Sequence, residues 1–184
     1  MKRLFELFVV IFILLLVFPL LLAICLAVRL DSPGPIFFRQ ERVGYGGKAF
    51  IMFKFRSMRT DAADLGSYQT APNDPRITRV GCFLRRNSLD ELPQLINVLL
   101  GDMSLVGPRP DVFEQRKLYK ESDWLKRVSV RPGITGLAQA TARSLASPNQ
   151  RLELDLEYVE KAGLLLDVKV LVLTIRQVFG KGGH

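Results

Sequence analysis

The only histidine of this 184-residue chain is its last residue, His184, so triads and metal sites built on imidazole are disfavoured and reactive groups must be sought among the carboxylates. The richest stretch is Arg85-Arg86-Asn87-Ser88-Leu89-Asp90-Glu91-Leu92-Pro93-Gln94, which sets two arginines beside two adjacent acids. Ser88 and Glu91 have the spacing of a helix capping box, a purely structural use of the same residues. That frame would put Pro93 inside the helix, where it lacks a donor and clashes with the preceding turn. A helix starting nearer Pro93 instead leaves Asp90 and Glu91 at its mouth, where backbone donors favour anionic ligands such as phosphates.

An aspartate can attack phosphorus without first losing a proton, so Asp90 is the candidate nucleophile. Glu91 is the candidate metal-holding acid, because Mg²⁺ binds through one or two carboxylates plus substrate phosphates. Arg109, between Pro108 and Pro110, is a cation on a stiff loop suited to phosphate. Arg85, Lys54 and Arg56 would add positive charge where a transferred phosphoryl group develops its own. The competing structural uses are an exposed arginine in a turn and a solvated strand face.

The elements that must position these groups follow from the hydrophobic pattern. Residues 7–28 carry no charge, and about 20 apolar residues are what a bilayer-crossing helix needs. A cleaved signal sequence fits less well, because its apolar part is usually about 7–15 residues long. Pro19 interrupts the segment, and basic residues flank both ends: Lys2 and Arg3 before, Arg29 after. A re-entrant helix with both ends on one side and a kinked spanning helix are both compatible with this. Asp31-Ser32-Pro33-Gly34-Pro35 then opens the polar domain, giving an anchor at 1–30 and a catalytic domain at 31–184.

Residues 36–40 and 49–56 read as a β-hairpin around Gly44-Tyr45-Gly46-Gly47, with Lys54 and Arg56 on the face opposite Phe53 and Phe55. Helices are expected at 61–65, 92–100, 112–126, 153–161 and 164–179, with a loop at 72–79. The last helix places Val168, Leu171, Val172, Ile175, Val178 and Phe179 on one face and Asp167, Lys169, Arg176 and Gln177 on the other, as suits either a bilayer surface or packing on the core. The fold class is therefore α+β and helix-rich, with a small hairpin and interfacial amphipathic helices.

A net charge of +8 calls for an anionic partner: nucleic acid, anionic lipid or a phosphorylated substrate. Two cysteines, Cys25 and Cys82, suggest neither a disulfide framework nor a zinc site, and no internal repeat is present.

Several segments together carry a resemblance. They are Ser32-Pro33-Gly34-Pro35-Ile36-Phe37 with Gln40 and Arg42, Lys54-Phe55-Arg56-Ser57-Met58, Leu84-Arg85-Arg86 through Gln94, Ser104-Leu105-Val106-Gly107-Pro108-Arg109-Pro110, and Arg131-Pro132-Gly133-Ile134-Thr135-Gly136. By these the chain resembles the bacterial sugar transferases, the monotopic polyprenyl-phosphate phosphoglycosyl transferases of glycoconjugate initiation. The resemblance implies a re-entrant helix broken at Pro19 and a catalytic domain on the cytoplasmic face of the bacterial inner membrane. It implies that Asp90 attacks the β-phosphorus of a UDP-sugar, releases UMP, and passes the phospho-sugar to undecaprenyl phosphate. It implies Mg²⁺ at Glu91, phosphate contacts from Arg85 and Arg109 with Pro110 beside them, and positions near the site for Asp155 and Asp167. The chain departs from many members in having Phe18 rather than serine before Pro19, and it looks like the family's minimal catalytic form.

On that reading the positive charge serves phosphates and anionic headgroups, at about 1 kcal/mol per nearby cation, and needs no nucleic acid. A tethered phosphodiesterase using the same acids, or a membrane-anchored binder of anions, are the alternatives; neither sugar identity nor oligomeric state is legible.

Overall fold

The computed structural model describes residues 2–62, 65, 74–142 and 147–179. It opens with helix α1 (Lys2–Asp31), which continues through Pro19. Residues 11–23 of α1 are all at least partly exposed, and Leu15, Leu16 and Phe18 are among its large exposed side chains. The ends behave differently: Val10 is buried near the start, Ile24 and Val28 near the finish.

A hairpin follows, β1 (Phe37–Val43) antiparallel to β2 (Ala49–Phe55). Two helices and a short strand then carry the chain to the phosphate-suited loop: α2 (Arg79–Arg86), α3 (Gln94–Leu100) and β3 (Ser104–Val106). A 3-10 turn, Leu89–Glu91, separates α2 from α3. Beyond the loop come α4 (Glu121–Arg127), β4 (Gly133–Thr135), α5 (Leu137–Ala142), α6 (Pro148–Lys161) and α7 (Leu164–Phe179).

The α+β, helix-rich class read from the sequence is what the structure has. Strands β3 and β4 pair in parallel, an element the sequence reading missed because each is three residues long. Their backbones come so close that a Cβ at Gly133 would lie 2.1 Å from the Gly107 nitrogen, so only glycine fits. Helix α6 starts where Ser147 and Gln150 exchange cap bonds of 3.2 and 3.0 Å, with Pro148 in the first turn.

Two expectations are corrected and one helix, α2, is added; the expected loop holds over 74–78, with 72–73 outside the described residues. The helix expected at 112–126 is split into a 3-10 segment (Phe113–Leu118) and α4, because Tyr119 and Lys120 are extended. That extension turns the Tyr119 hydroxyl onto Asp111 at 2.8 Å and its ring against Trp124. Helix α2 begins where a loop had been expected to end, capped by the Thr78 hydroxyl at 3.0 Å from the Gly81 amide and by Asp31 of α1 at 2.9 Å from the Val80 amide. Of the helix expected at 61–65, residues 61, 62 and 65 are turns and 63–64 lie outside the described residues.

The main core joins Val10 of α1 to Met52, Leu95, Val98, Met103, Leu105, Val106, Leu137, Tyr158 and Val170. A second cluster joins Ile24 and Val28 to Phe55 and Leu84. Leu92 packs against both. On α7 the side chains facing the domain include polar ones: Asp167 is buried and Thr174 bonds Thr135 at 2.8 Å. Leu165, Val168, Val172 and Ile175 point outward, Leu165 at 90% exposure, while Leu171 packs against the core, so most but not all of the described part of the apolar stripe faces away from the domain. The side chains of Val178 and Phe179 lie outside the described residues.

Candidate active site

Two residues past the end of α2 stands Ser88, whose backbone is left-handed (φ 55°, ψ 20°), an uncommon conformation for a residue with a Cβ. Ser88 makes no side-chain cap bond, so the capping-box frame is not used. The chain instead passes through the 3-10 turn into α3, with Pro93 just before it, and Asp90 and Glu91 sit at that entrance.

Asn97, fully buried on α3, fixes this entrance against the hairpin. Its Oδ1 accepts from the Phe53 amide at 3.0 Å and its Nδ2 donates to the Ile51 carbonyl at 2.7 Å. A side-chain amide thus satisfies backbone groups of β2 that β1 does not reach. With α3 so registered, Lys54 Nζ lies 2.7 Å from Glu91 Oε1. Met52 is buried and the Lys54 side chain is 16% exposed, so this part of the hairpin face looks into the domain, while Phe38, paired with Lys54, stays exposed.

Arg109 Nη2 reaches the same Glu91 oxygen at 2.8 Å while its side chain stays 40% exposed. The loop presenting it is held at four successive carbonyls. Gly133 N donates to Pro108 O at 2.9 Å, Arg127 Nη2 to Arg109 O at 2.6 Å, Arg42 Nη1 to Pro110 O at 3.1 Å, and Val43 N to Asp111 O at 2.9 Å. Behind it lies a buried charge network: Arg127 meets Asp111 at 2.5 Å and Asp155 at 2.9 Å, and Arg151 meets Asp111 at 2.9 Å. Burial raises the Asp155 carboxyl despite Arg127 and Arg151.

The two acids at the entrance are driven apart electrostatically. Burial pushes the Asp90 carboxyl above the usual aspartate range; Lys54 opposes this, the charge of Glu91 adds to it, and Arg85 opposes it. Burial would also raise Glu91, but Arg109 and Lys54 outweigh it and hold that carboxyl at about 2. Among the described residues no other side chain hydrogen-bonds the Asp90 carboxylate. Arg85 lies close enough to act on Asp90 electrostatically, and its Nε donates to Ser57 Oγ at 2.8 Å. That bond depends on Gly81, where a Cβ would stand 2.0 Å from the Ser57 carbonyl oxygen.

Of the residues singled out from sequence, Asp90, Glu91, Lys54, Arg85 and Arg109 come together, with the Pro110 carbonyl tied to Arg42. Arg56 does not join them. It is 5% exposed and donates to the Pro33, Val28 and Ser32 carbonyls and to Ser32 Oγ, closing the end of α1. Asp155 stands one residue behind the Arg109 loop, and Asp167 pairs with Lys2 of α1 at 2.9 Å. Asn97, Asp111 and Arg127 were missed; an asparagine inside an apolar helical run was the one available signal.

As a metal site the geometry fits only with help from a ligand. Among the described residues no group of three or more metal-binding side chains occurs. Glu91 Oε1 is taken by two cations, which leaves its second oxygen and the Asp90 carboxylate as donors. That set suits Mg²⁺ sharing its coordination with substrate phosphates, not a cation held by protein alone.

An acid pair at a helix entrance, faced by a lysine from a hairpin and an arginine from a proline-bounded loop, is an arrangement suited to phosphoryl chemistry. The chain belongs to the bacterial sugar transferase family, whose sequence model matches residues 1–181. It is 47% identical over 171 residues to a UDP-glucose:undecaprenyl-phosphate glucose-1-phosphate transferase of Xanthomonas campestris pv. campestris, covering 89% of this chain and 35% of that protein. It is 44% identical over 195 residues to the exopolysaccharide production protein PSS of Rhizobium leguminosarum bv. phaseoli, covering 99% of this chain and 96% of that one. A UDP-N-acetylgalactosamine-undecaprenyl-phosphate N-acetylgalactosaminephosphotransferase of Aeromonas hydrophila is 42% identical over 168 residues, 87% of this chain and 39% of that protein. The chain thus spans well under half of the Xanthomonas and Aeromonas relatives.

Proposed function

We propose that this chain transfers a sugar phosphate from a UDP-sugar to a polyprenyl phosphate at a membrane, through a phospho-sugar ester of Asp90. The observation that carries the reading is the division between two neighbouring acids: Asp90 is buried with no side chain hydrogen-bonded to its carboxylate among the described residues, while Glu91 is clamped by Lys54 and Arg109. Two relatives are named for reactions between a UDP-sugar and undecaprenyl phosphate. Their sugars differ, so the shared chemistry is the diphosphate and the lipid phosphate.

In the first step an Asp90 carboxylate oxygen forms a bond to the β-phosphorus, and the bond from that phosphorus to the bridging oxygen breaks. UMP leaves with the electron pair. In the second step an oxygen of the lipid phosphate attacks the same phosphorus and the Asp90 carboxylate departs, leaving a polyprenyl-diphosphate-sugar. Neither attack needs a proton removed, as suits a site without imidazole. Burial makes Asp90 more basic than an exposed aspartate and so a better nucleophile. Arg109, Lys54 and Arg85 supply fixed positive charge for the phosphoryl oxygens. Mg²⁺ held by the free oxygen of Glu91 would screen the diphosphate and lower its resistance to an anionic nucleophile.

Membrane residence is supported by the exposed apolar middle of α1 and the outward stripe of α7. A re-entrant course is supported by the packing of both ends of α1. A straight helix would set residues 10 and 24 about 21 Å apart, yet the clusters they enter share β2 through Met52 and Phe55, and Leu92 packs against both. This packing supports a course in which both ends of α1 lie on one face of the bilayer, which on the transferase reading is the cytoplasmic face of the inner membrane.

The test is UMP release by the purified protein with a panel of UDP-sugars, Mg²⁺ and undecaprenyl phosphate, beside Asp90→Asn. Release that requires both the lipid and Asp90 is expected. Release without the lipid would replace the transferase reading by a phosphodiesterase.

A further inference from the structure

The first turn of α1 grips the far ends of the two segments that bring Glu91 and Arg109 together. On one side, Arg3 Nη2 donates to the Val98 carbonyl at 2.5 Å and the Leu99 carbonyl at 3.3 Å, the last turn of α3. The opposite end of that seven-residue helix is the entrance that carries Asp90 and Glu91. On the other side, Glu6 accepts from Ser104 Oγ and from the Leu105 amide, the latter at 3.2 Å. Those are the first residues of β3, which runs through Gly107 and Pro108 into Arg109. Tyr158 adds a contact of 2.8 Å to the next carbonyl, Val106, and Lys2 lies 3.1 Å from the same hydroxyl.

Glu6 is only 5% exposed, and taking a carboxylate out of water is costly unless its oxygens are claimed. Docking alone would not call for it, because Val10, one turn further on, is fully buried by apolar contact with the same core. A carboxylate has instead what apolar contact lacks: bonds of fixed direction to one hydroxyl and one backbone amide. We propose that Glu6 is a positioning residue for the catalytic pair, setting β3 and hence Arg109 while Arg3 sets α3 and hence Glu91. The site is then complete only when the first turn of α1 is seated. The activity readout below rests on the transferase reading; the exchange readout does not.

The experiment uses the full chain in nanodiscs with Glu6→Gln, Glu6→Asp and Arg109→Lys, the first and last combined in a double-mutant cycle. Glu6→Gln is expected to lower kcat by up to about 100-fold, the scale of a displaced catalytic group. Arg109→Lys is expected to cost less in the Glu6→Gln background than in the wild type, and Glu6→Asp to recover most of the rate. Backbone hydrogen exchange over 104–110 is expected to quicken in Glu6→Gln. Equal costs of Arg109→Lys in the two backgrounds would overturn the proposal, as a carboxylate that merely stabilises the fold would give additive effects. If Glu6→Gln does not fold, Ser104→Ala removes one of the two bonds and takes its place in the cycle. Should the wild type release no UMP, the transferase reading fails separately, and the exchange alone decides: faster at 104–110 supports positioning, unchanged exchange overturns it.

Discussion

Asp90 and Glu91 are adjacent in the chain, yet their surroundings displace them in opposite directions: burial raises Asp90, while Arg109 and Lys54 hold Glu91 at about 2. One residue of offset separates an acid left open for reaction from one locked in ion pairs.

The two acids should therefore differ in what they do to stability. Asp90 titrates above its unfolded value, so its ionised form is disfavoured by folding, and the cost is present at neutral pH and absent below the ordinary aspartate range. Asp90→Asn is expected to abolish turnover and raise Tm by a few degrees, about 2–4 °C per kcal/mol for a chain of this size. Glu91→Gln leaves Lys54 and Arg109 without their shared partner and is expected to lower both Tm and turnover. The contribution of Glu91 is present above about 4.5 and lost as pH falls toward about 2. Thermal unfolding of both variants in one detergent checks the opposite signs.

The pH profile should carry the same signature. The attacking group must be ionised, so the acid limb of kcat/KM is expected above the 3.8 of an ordinary aspartate. Lys54 is the largest influence opposing that rise, and Lys54→Met should move the limb further toward neutrality. A limb that stays in place in Lys54→Met would show that another group controls the rate.

Arg56 and Arg109 should separate cleanly. Arg109→Lys loses a fixed fork at the site and is expected to reduce kcat/KM by about 10²–10³, the usual scale for removing one fixed donor to a developing charge. Arg56→Met is expected to leave the KM for the nucleotide-sugar unchanged and to lower stability by about 1–3 kcal/mol, because buried carbonyls at the end of α1 lose their donor. A raised KM in Arg56→Met would return that residue to the substrate.

The course of α1 is open to labelling. Leu4 and Leu30, 74% and 77% exposed, can each be changed to cysteine in a background with Cys25→Ser and Cys82→Ser. Both are expected to react with an impermeant maleimide from the cytoplasmic side alone. Reaction of the two from opposite sides would make α1 a spanning helix.

The acid pair was legible from sequence because Pro93 forbids the alternative helix frame, and Arg109 because flanking prolines mark a stiff loop. Strand alternation placed Lys54 on a cationic face, but its pairing with Glu91 was not legible, because only tertiary contact joins β2 to the entrance of α3. Arg56 was misjudged by the same alternation: it shares Lys54's parity, but past the last residue of β2 its guanidinium turns to the carbonyls of the Ser32-Pro33 turn. The network of Asp111, Arg127, Asp155 and Arg151 was hidden because its members lie up to 44 residues apart by sequence position, from 111 to 155, and only tertiary contact joins them. Strands β3 and β4 were too short to show a period.

The packing of α1 at its two ends also bears on which of its residues can change. In its middle, Ile13, Leu14 and Leu21 still pack against the two cores, whereas Leu15, Leu16, Phe18, Leu20 and Leu22 face outward, so apolar residues at those five positions should exchange freely under mutation. Lys2, Arg3, Glu6 and Val10 at one end, and Ile24, Val28 and Asp31 at the other, each have a specific counterpart in the domain. Grafting a generic hydrophobic helix in place of α1 would therefore strip the enzyme of side chains from two cores, and the permissible sequence variation of this helix should be sharply lower at both termini than at its centre.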